Sequence, residues 1–155
     1  MSRLLIRKAT LADLGVIKGL ADAHKNELGF VLRPALANSI ERDEIFVAEN
    51  SRGVIGFVEY HHRQDKQTTL YHIAVNPEHR RKGVGQQLVE ALICDASEHG
   101  KGFIQLKCPV DLEANKFYRQ AGFLRSCVQP GKNRGLVVWR LLLDPATHKT
   151  DEELE

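Results

Sequence analysis

The chain has 155 residues, 43% of them apolar, and its 22 Lys and Arg against 20 Asp and Glu give a net charge of +2. This length and apolar content suit one globular domain with a buried core, and the near-balanced charge excludes a global attraction to nucleic acid or to a membrane surface. No apolar run approaches the roughly 18 residues of a membrane helix, and Met1-Ser2-Arg3 leads into an amphipathic strand rather than a signal peptide. We therefore expect a cytoplasmic protein with one domain at residues 1–144 and a polar tail at residues 145–155.

The first half of the chain predicts a strand, two helices and a β-hairpin. Thr10 with Asp13 three residues later is typical of a helix start, and Pro34 suits the first residue of a helix. The turn-forming run Asn50–Gly53 separates two apolar runs, which predicts a hairpin. In order, these elements are a strand at Leu4–Lys8, a helix ending near His24, a helix from Pro34 to about Arg42, and strands at Ile45–Ala48 and Val54–Tyr60.

The second half predicts two strand–helix units and a final pair of strands. The elements are a strand at Thr68–Val75, a helix at Gln86–His99, a strand at Phe103–Cys108, a helix around Ala114–Ala121, and strands at Phe123–Val128 and Leu136–Leu143. The order βααββ-βα-βα-ββ defines an α/β fold with a mixed sheet and helices on both faces. Leu136–Leu143 is apolar on both faces, which fits either a central buried strand or a subunit interface.

The three cysteines, Cys94, Cys108 and Cys127, are widely spaced and odd in number. This pattern favours reduced thiols in the core over a disulfide framework. No spacing of Cys and His residues indicates a metal, so the sequence predicts no metal site.

A glycine turn, Arg80-Arg81-Lys82-Gly83-Val84-Gly85, joins the predicted strand Thr68–Val75 to the following helix. Glycines allow positive φ angles and close approach of a ligand, and the free N–H groups at the helix start favour a diphosphate. A Walker loop is excluded because Lys82 precedes the glycine and Val84 follows it. A dinucleotide fingerprint is disfavoured because Leu88 occupies the position of its third glycine. The predicted phosphate-binding residues are Arg80, Arg81, Lys82, Gly83, Val84, Gly85 and Gln86.

Two motifs in sequence order connect the chain to a known family. Arg80-x-x-Gly83-x-Gly85 follows Ile73–Pro77, and the pattern Ala-x-x-x-Tyr-x-x-x-Gly-Phe occurs at Ala114–Phe123. With these motifs the chain resembles the GNAT superfamily of acyl-CoA-dependent N-acetyltransferases over about Leu4–Leu143. The resemblance implies a splayed sheet whose fourth and fifth strands part to admit the pantetheine of acetyl-CoA. It also implies that the backbone of Ile73, Ala74 and Val75 bonds the pantetheine and that the glycine turn holds the pyrophosphate.

The resemblance also suggests residues for the chemistry. Tyr118 matches the family's general acid, although its helical spacing also suits a buried core tyrosine. Asn115, one turn earlier, could bond the pantetheine or lie on the helix surface. An amine of pKa about 10.4 must lose a proton before it attacks a thioester, so a base is expected.

The base is harder to place, because Thr69 and Tyr71, where the family often has a carboxylate or histidine, carry neither. Glu59 is the nearest substitute, the alternative being a solvated carboxylate at a sheet edge. We expect His72 to be a packed histidine, and His61 and His62 to be exposed.

The leading hypothesis is an N-acetyltransferase that moves an acetyl group from acetyl-CoA, its co-substrate, directly to a primary amine of a small molecule or a protein. The alternative is a non-catalytic acyl-CoA-binding or sensing module. Asp111 and Glu113 could favour a helix N-terminus or attract a cationic acceptor. A nucleic-acid surface at the Arg80 cluster and Lys132–Arg134 is disfavoured, because no aromatic residues are interleaved. The resemblance also makes a homodimer possible.

Overall fold

The computed structural model describes residues 3–143, so the predicted tail at residues 145–155 lies outside the described residues. The strands are β1 (Leu5–Lys8), β2 (Ile45–Asn50), β3 (Gly53–His62), β4 (Gln67–Val75), β5 (Phe103–Pro109), β6 (Leu124–Gln129) and β7 (Leu136–Leu142). The helices are α1 (Leu14–Ala23), α2 (Lys25–Leu28), α3 (Arg33–Glu41), α4 (Val84–Glu98) and α5 (Ala114–Gln120). The predicted α/β element order is confirmed, with α2 as an addition.

The sheet is mixed, and its strands follow the order β1-β2-β3-β4-β5-β7-β6. β4 pairs with β5 in parallel, whereas β1 with β2, β2 with β3, β5 with β7 and β6 with β7 are antiparallel. The ladder between β4 and β5 joins Gln67–Thr69 to Phe103–Gln105, the first three residues of each strand. This short ladder agrees with the splayed sheet implied by the resemblance. Since β7 lies between β5 and β6, its apolar faces are explained by a central position.

Contacts divide the described residues into two compact units, one of residues 3–61 and 70–92 and one of residues 62–69 and 93–143. The single domain predicted for residues 1–144 stays a prediction. In the first unit, apolar side chains of α1 and α3 pack with Val47 and Phe57 of the sheet. Gly56, next to Phe57, faces the other way, where a Cβ would lie 3.5 Å from Leu88 of α4. Helices therefore cover both faces of β3 in this unit.

The link between α1 and α3 contains a helix that the sequence did not predict. Lys25–Leu28 forms the short helix α2, which ends at Gly29 with φ +74°. Beyond it, Val31 is buried while Phe30 and Leu32 are 91% and 65% exposed. Two apolar side chains of this link thus remain in solvent.

The cysteines occupy two kinds of environment. Cys108 is buried, as predicted, but Cys94 and Cys127 are exposed, so the prediction of core thiols is wrong for these two. Cys127 lies on β6, an edge strand whose side chains are mostly exposed, and Cys94 lies on the outer side of α4. None of the three forms a disulfide within the described residues. Separately, none of the helices within residues 3–143 combines the length and apolar character needed to cross a membrane.

Candidate active site

The glycine turn places backbone donors at the start of α4. Gly83 has φ +80°, a conformation that strains any L side chain, and its carbonyl accepts a hydrogen bond from the Gln87 N–H at 3.0 Å. Gly83 is thus the N-cap, and the next three N–H groups, those of Val84, Gly85 and Gln86, have no intrahelical acceptor. The Val84 side chain is only 4% exposed and anchors the turn in the first unit. The turn therefore presents donors, and the positive end of a 15-residue helix, to an anion.

The three cations before Gly83 contribute differently. Arg80 turns back along β4, with Nε 3.4 Å from the Val75 carbonyl oxygen and a nitrogen of its guanidinium 3.9 Å from Glu27. Arg81 and Lys82 are exposed, and Arg81 has φ +64°. Arg80 therefore links the turn to the end of β4, while Arg81 and Lys82 add positive charge beside the free donors.

The end of β4, which is expected to bond the pantetheine, lies tightly against β3. A Cβ at Gly56 would lie 3.0 Å from the Ala74 carbonyl oxygen and 3.4 Å from a methyl carbon of Val75. The Asn76 N–H donates to the Ile55 carbonyl at 2.7 Å just beyond. Ala74 is buried, whereas Ile73 and Val75 are half-buried. A side chain at position 56 would therefore push the Ala74 carbonyl away by a few tenths of an ångström.

Glu59 is buried, which corrects the alternative of a solvated carboxylate at a sheet edge. It is 4% exposed because β3 lies between β2 and β4 and the residue faces α3. The Ser39 hydroxyl donates to Oε2 at 2.7 Å, and Nδ1 of His72 lies 2.7 Å from Oε1. Each carboxylate oxygen therefore has a partner, as a buried acid requires.

His72 is oriented by this contact. A carboxylate can only accept, so Nδ1 carries the hydrogen and the lone pair of the neutral ring lies at Nε2. The His72 side chain is 25% exposed to solvent. Among residues 3–143, none forms a hydrogen bond with its Nε2. Sequence reasoning placed His72 only in packing. Counting outward from the Arg63–Gln67 hydrogen bond in the turn that joins β3 to β4 brings Glu59 opposite Tyr71 instead, so simple pairing would not have found His72.

Tyr118 is fixed by aromatic packing in the second unit. It lies on α5, is 7% exposed, and its ring meets those of Phe117 and Phe123 edge-on at centroid distances of 5.5 and 5.8 Å. Such pairs hold a ring in one orientation. The buried position suits a core tyrosine and a rigidly held acid equally, so the acid role stays a prediction.

Asn115 has a structural role that sequence reasoning missed. Its Nδ2 donates to the carbonyls of Pro109 and Leu112, each at 2.9 Å, and its Oδ1 accepts from the Trp139 indole N–H at 2.8 Å. The amide thus ties the loop after β5 to β7 within the second unit. These bonds give no support to the expected contact with pantetheine. They also show that the side chain is not simply a solvated amide on the helix surface.

Asp111 is paired rather than free at the start of α5. Its Oδ2 accepts from a guanidinium nitrogen of Arg134 at 2.9 Å, and both side chains are well exposed. The pair connects the loop after β5 to the loop between β6 and β7. It favours neither of the two roles considered for the carboxylate.

Taken unit by unit, this is an α/β fold in which a turn between a strand and a helix presents free N–H donors. Residues 41–125, more than half of the chain, match the family model described as the Acetyltransferase (GNAT) domain. The chain belongs to the GNAT family of acetyltransferases.

Individual relatives agree with this assignment. The chain is 33% identical over 96 residues to an uncharacterised N-acetyltransferase of Chlorobaculum tepidum, an alignment that covers 61% of each chain. It therefore spans about three fifths of the length of that curated relative. Among solved structures, Ard1 from Thermoplasma volcanium superposes with a TM-score of 0.81 at 19% identity, covering 91% of this chain and 98% of that one. YncA from Salmonella typhimurium, solved with its cofactor acetyl-CoA, gives a TM-score of 0.77 at 21% identity over 92% and 95%.

Proposed function

We propose that the protein transfers an acetyl group from acetyl-CoA to a primary amine by direct attack in a ternary complex. The observation that carries the proposal is the turn before α4, which offers the free N–H groups of Val84, Gly85 and Gln86 beside two exposed cations in a chain of the GNAT family. The acetyl-CoA in the similar YncA structure supports this choice of donor. Its pyrophosphate would bind at the turn, and the backbone of Ile73–Val75 would bond the pantetheine, as the family resemblance implies.

His72 is the general base in this proposal. Nε2 takes the proton from the ammonium form of the acceptor, whose reference pKa is about 10.4. The amine nitrogen then bonds to the thioester carbonyl carbon, the carbon–sulfur bond breaks, and the nitrogen releases a second proton to solvent as the amide forms. Glu59 acts through His72 as a positioning residue, because both of its carboxylate oxygens are engaged by Ser39 and His72.

Tyr118 is the proposed acid for the departing thiolate. Its phenol would give a proton to the sulfur, whose thiol pKa is about 8.5, and regain one from solvent. The support is the family motif at Ala114–Phe123 and the packing of the ring between Phe117 and Phe123.

The acceptor is proposed to be a primary amine attached to an apolar group, in a small molecule or a protein. The exposed side chains of Phe30 and Leu32 support this choice, because they offer apolar surface in the same unit as His72. We place the reaction in the cytoplasm on the sequence expectations alone.

The non-catalytic alternative predicts binding of acetyl-CoA without turnover. The Glu59–His72 pair favours the catalytic hypothesis over the binding module. It supplies an oriented base, which neither Thr69 nor Tyr71 provides. The deciding experiment measures amine-dependent release of the CoA thiol across a panel of apolar and polar amines, with a melting curve on acetyl-CoA alongside. Saturation at about 100 times the dissociation constant adds about 2.7 kcal/mol of stability, so binding is visible even without turnover. A melting shift with no amine-dependent thiol release would favour the binding module.

A further inference from the structure

Three potential metal ligands meet in the second unit, and none of them is among the residues assigned to the reaction. His62 ends β3, whereas Asp95 and His99 lie four residues apart on α4 and just beyond its end, so they share one helix face. One ligand atom from each residue lies within 4.8 Å of the others. The side chains of His62 and Asp95 are 9% and 10% exposed, and that of His99 is 52% exposed. The expectation that His62 is exposed was therefore wrong.

The hydrogen bonds around His62 prepare it for a cation. Nδ1 lies 2.8 Å from the hydroxyl of the buried Thr68, and Nε2 lies 2.9 Å from Oδ2 of Asp95. When Thr68 accepts from Nδ1, the lone pair of Nε2 points at a carboxylate oxygen, and a proton or a cation must lie between the two. A second hydrogen bond of this kind, from the remote ring nitrogen to an oxygen, is typical of histidines that bind metals.

His99 completes the ligand set at the solvent side. Its ring stacks on that of His62 at a centroid distance of 4.2 Å, and Nδ1 lies 2.7 Å from the Asp95 backbone carbonyl oxygen. Because a carbonyl only accepts, Nδ1 carries the hydrogen in the neutral ring, and Nε2 keeps a lone pair. Its exposure gives an ion a route of entry and leaves room for water.

The spacing suits a small tetrahedral ion. Zn²⁺ binds imidazole nitrogen and carboxylate oxygen at about 2.0–2.2 Å, which separates ligand atoms by about 3.3 Å in a tetrahedron. The separations found here, 2.9 Å between His62 and Asp95 and at most 4.8 Å across the cluster, lie on either side of that value. Side-chain rotations that unstack the His62 and His99 rings would bring the three atoms to it.

The backbone that carries these ligands is held in place. Lys101 donates through Nζ to the carbonyls of Arg63 and Asp65, and Lys66 donates to the Gly100 carbonyl at 3.2 Å. The Gly102 N–H donates to the Lys66 carbonyl at 2.8 Å. The turn after β3 is thereby tied to the chain after α4. Ligands on rigid elements lose little freedom when an ion binds.

We propose that His62, Asp95 and His99 bind a first-row divalent transition cation. Two imidazoles and one carboxylate favour Zn²⁺ over Mg²⁺ or Ca²⁺, which prefer sites made only of oxygen. The fourth position is open to water. The ion stabilises the end of β3 against the end of α4 and takes no part in acetyl transfer.

The test uses the full chain stripped of metal with a chelator, and Co²⁺ as a probe. We expect a visible absorption band of four-coordinate Co²⁺ that saturates at one equivalent and is displaced by Zn²⁺. His99→Gln should lose the band and weaken Zn²⁺ binding by at least about tenfold, since even changes to outer partners cost that much. His61→Gln is the matched control, because His61 contacts Glu44 instead and should leave the band unchanged.

Folding is checked by melting curves, in which Zn²⁺ should stabilise the wild type but not His99→Gln. Because His99 is half exposed, its replacement should leave the fold intact. A wild type without the Co²⁺ band, or a His99→Gln variant with an undiminished one, would overturn the proposal and leave a simple His–Asp hydrogen bond.

Discussion

Glu59 on β3 and His72 on β4 share a contact of 2.7 Å that joins a carboxylate only 4% exposed to an imidazole 25% exposed. The burial of Glu59 fixes its geometry, and the contact fixes which nitrogen of His72 carries a hydrogen. A ring with a defined lone pair at Nε2, on a strand of the central sheet, is what a general base requires.

His72→Gln should therefore lower kcat by about 10²–10⁴-fold, the usual contribution of a positioned base. The dissociation constant of acetyl-CoA should change little, because the phosphate donors at Val84–Gln86 are untouched. Steady-state kinetics at saturating amine and a binding titration separate the two effects. His61→Gln serves as the control, and a His72→Gln enzyme with wild-type kcat would show that the base lies elsewhere.

Ser39→Ala tests whether Glu59 acts by positioning His72. Removing the hydroxyl leaves Oε2 without its donor in a buried site, which should cost about 1–3 kcal/mol of stability. kcat should fall less than in His72→Gln, with the KM of acetyl-CoA unchanged. Glu59→Gln should behave similarly, because the amide keeps an acceptor toward His72. An enzyme that loses stability without any loss of kcat would reduce the pair to a structural role.

Gly83→Asp should abolish the stabilisation by acetyl-CoA. The φ of +80° penalises any side chain, and a carboxylate beside the free N–H groups competes with the pyrophosphate for them. Melting curves with and without acetyl-CoA measure the loss. Gly19→Ala is the matched control, since a Cβ there meets nothing within 4 Å and alanine should favour the helix by about 0.5–1 kcal/mol. An unchanged acetyl-CoA shift in Gly83→Asp would remove the cofactor from this turn.

The glycine turn was predictable from sequence because all its determinants are local. Gly83 and Gly85 are adjacent to the helix they start, and the strand before them ends at a proline within a few residues. The prediction for Tyr118 depends on local sequence in the same way, because its motif spans one helix. The alternation of side chains along β3, which is also local, puts Glu59 on the face of Phe57.

Contacts between distant segments were not predictable. His72 lies 13 residues from Glu59, Asn115 lies 24 from Trp139, and His62 lies 33 from Asp95. Their pairing depends on strand register and on burial. The periodicity of residues within one helix or strand gives no information about either. The structural bonds of Asn115 were missed for this reason, because nothing near it in sequence shows that the Trp139 indole donates to its amide.

Asn115→Ala should act on stability rather than on cofactor binding. The change leaves the carbonyls of Pro109 and Leu112 and the Trp139 N–H without their partner, which should lower the free energy of unfolding by about 1–3 kcal/mol. Urea denaturation measures the loss, and a titration with acetyl-CoA at a temperature where the variant is folded should give a near wild-type dissociation constant. A normal stability with a tenfold weaker dissociation constant would instead restore the pantetheine role.

The acid stability of the first unit should depend on Asp13. Its carboxylate accepts from two guanidinium nitrogens of Arg7, at 2.8 and 3.0 Å, and from the Thr10 N–H at 2.8 Å. These bonds, that with Arg7 above all, lower the pKa of Asp13 below its usual value, although burial opposes them. The folded state therefore binds this proton less readily than the unfolded chain, whose Asp pKa is about 3.9.

The contribution of Asp13 is thus complete above that unfolded pKa and is lost as the pH falls through the lower folded pKa. Each pH unit of lowering corresponds to about 1.4 kcal/mol. Urea denaturation from pH 6 to pH 2 should show the wild type losing this stability on acidification. The free energy of unfolding of Asp13→Asn should be lower at pH 6 and fall less, so that the values for the two proteins converge at low pH. Asp22→Asn, which breaks only an exposed contact with Lys18, should run parallel to the wild type. Parallel curves for Asp13→Asn as well would mean that the Arg7 contact does not persist in solution.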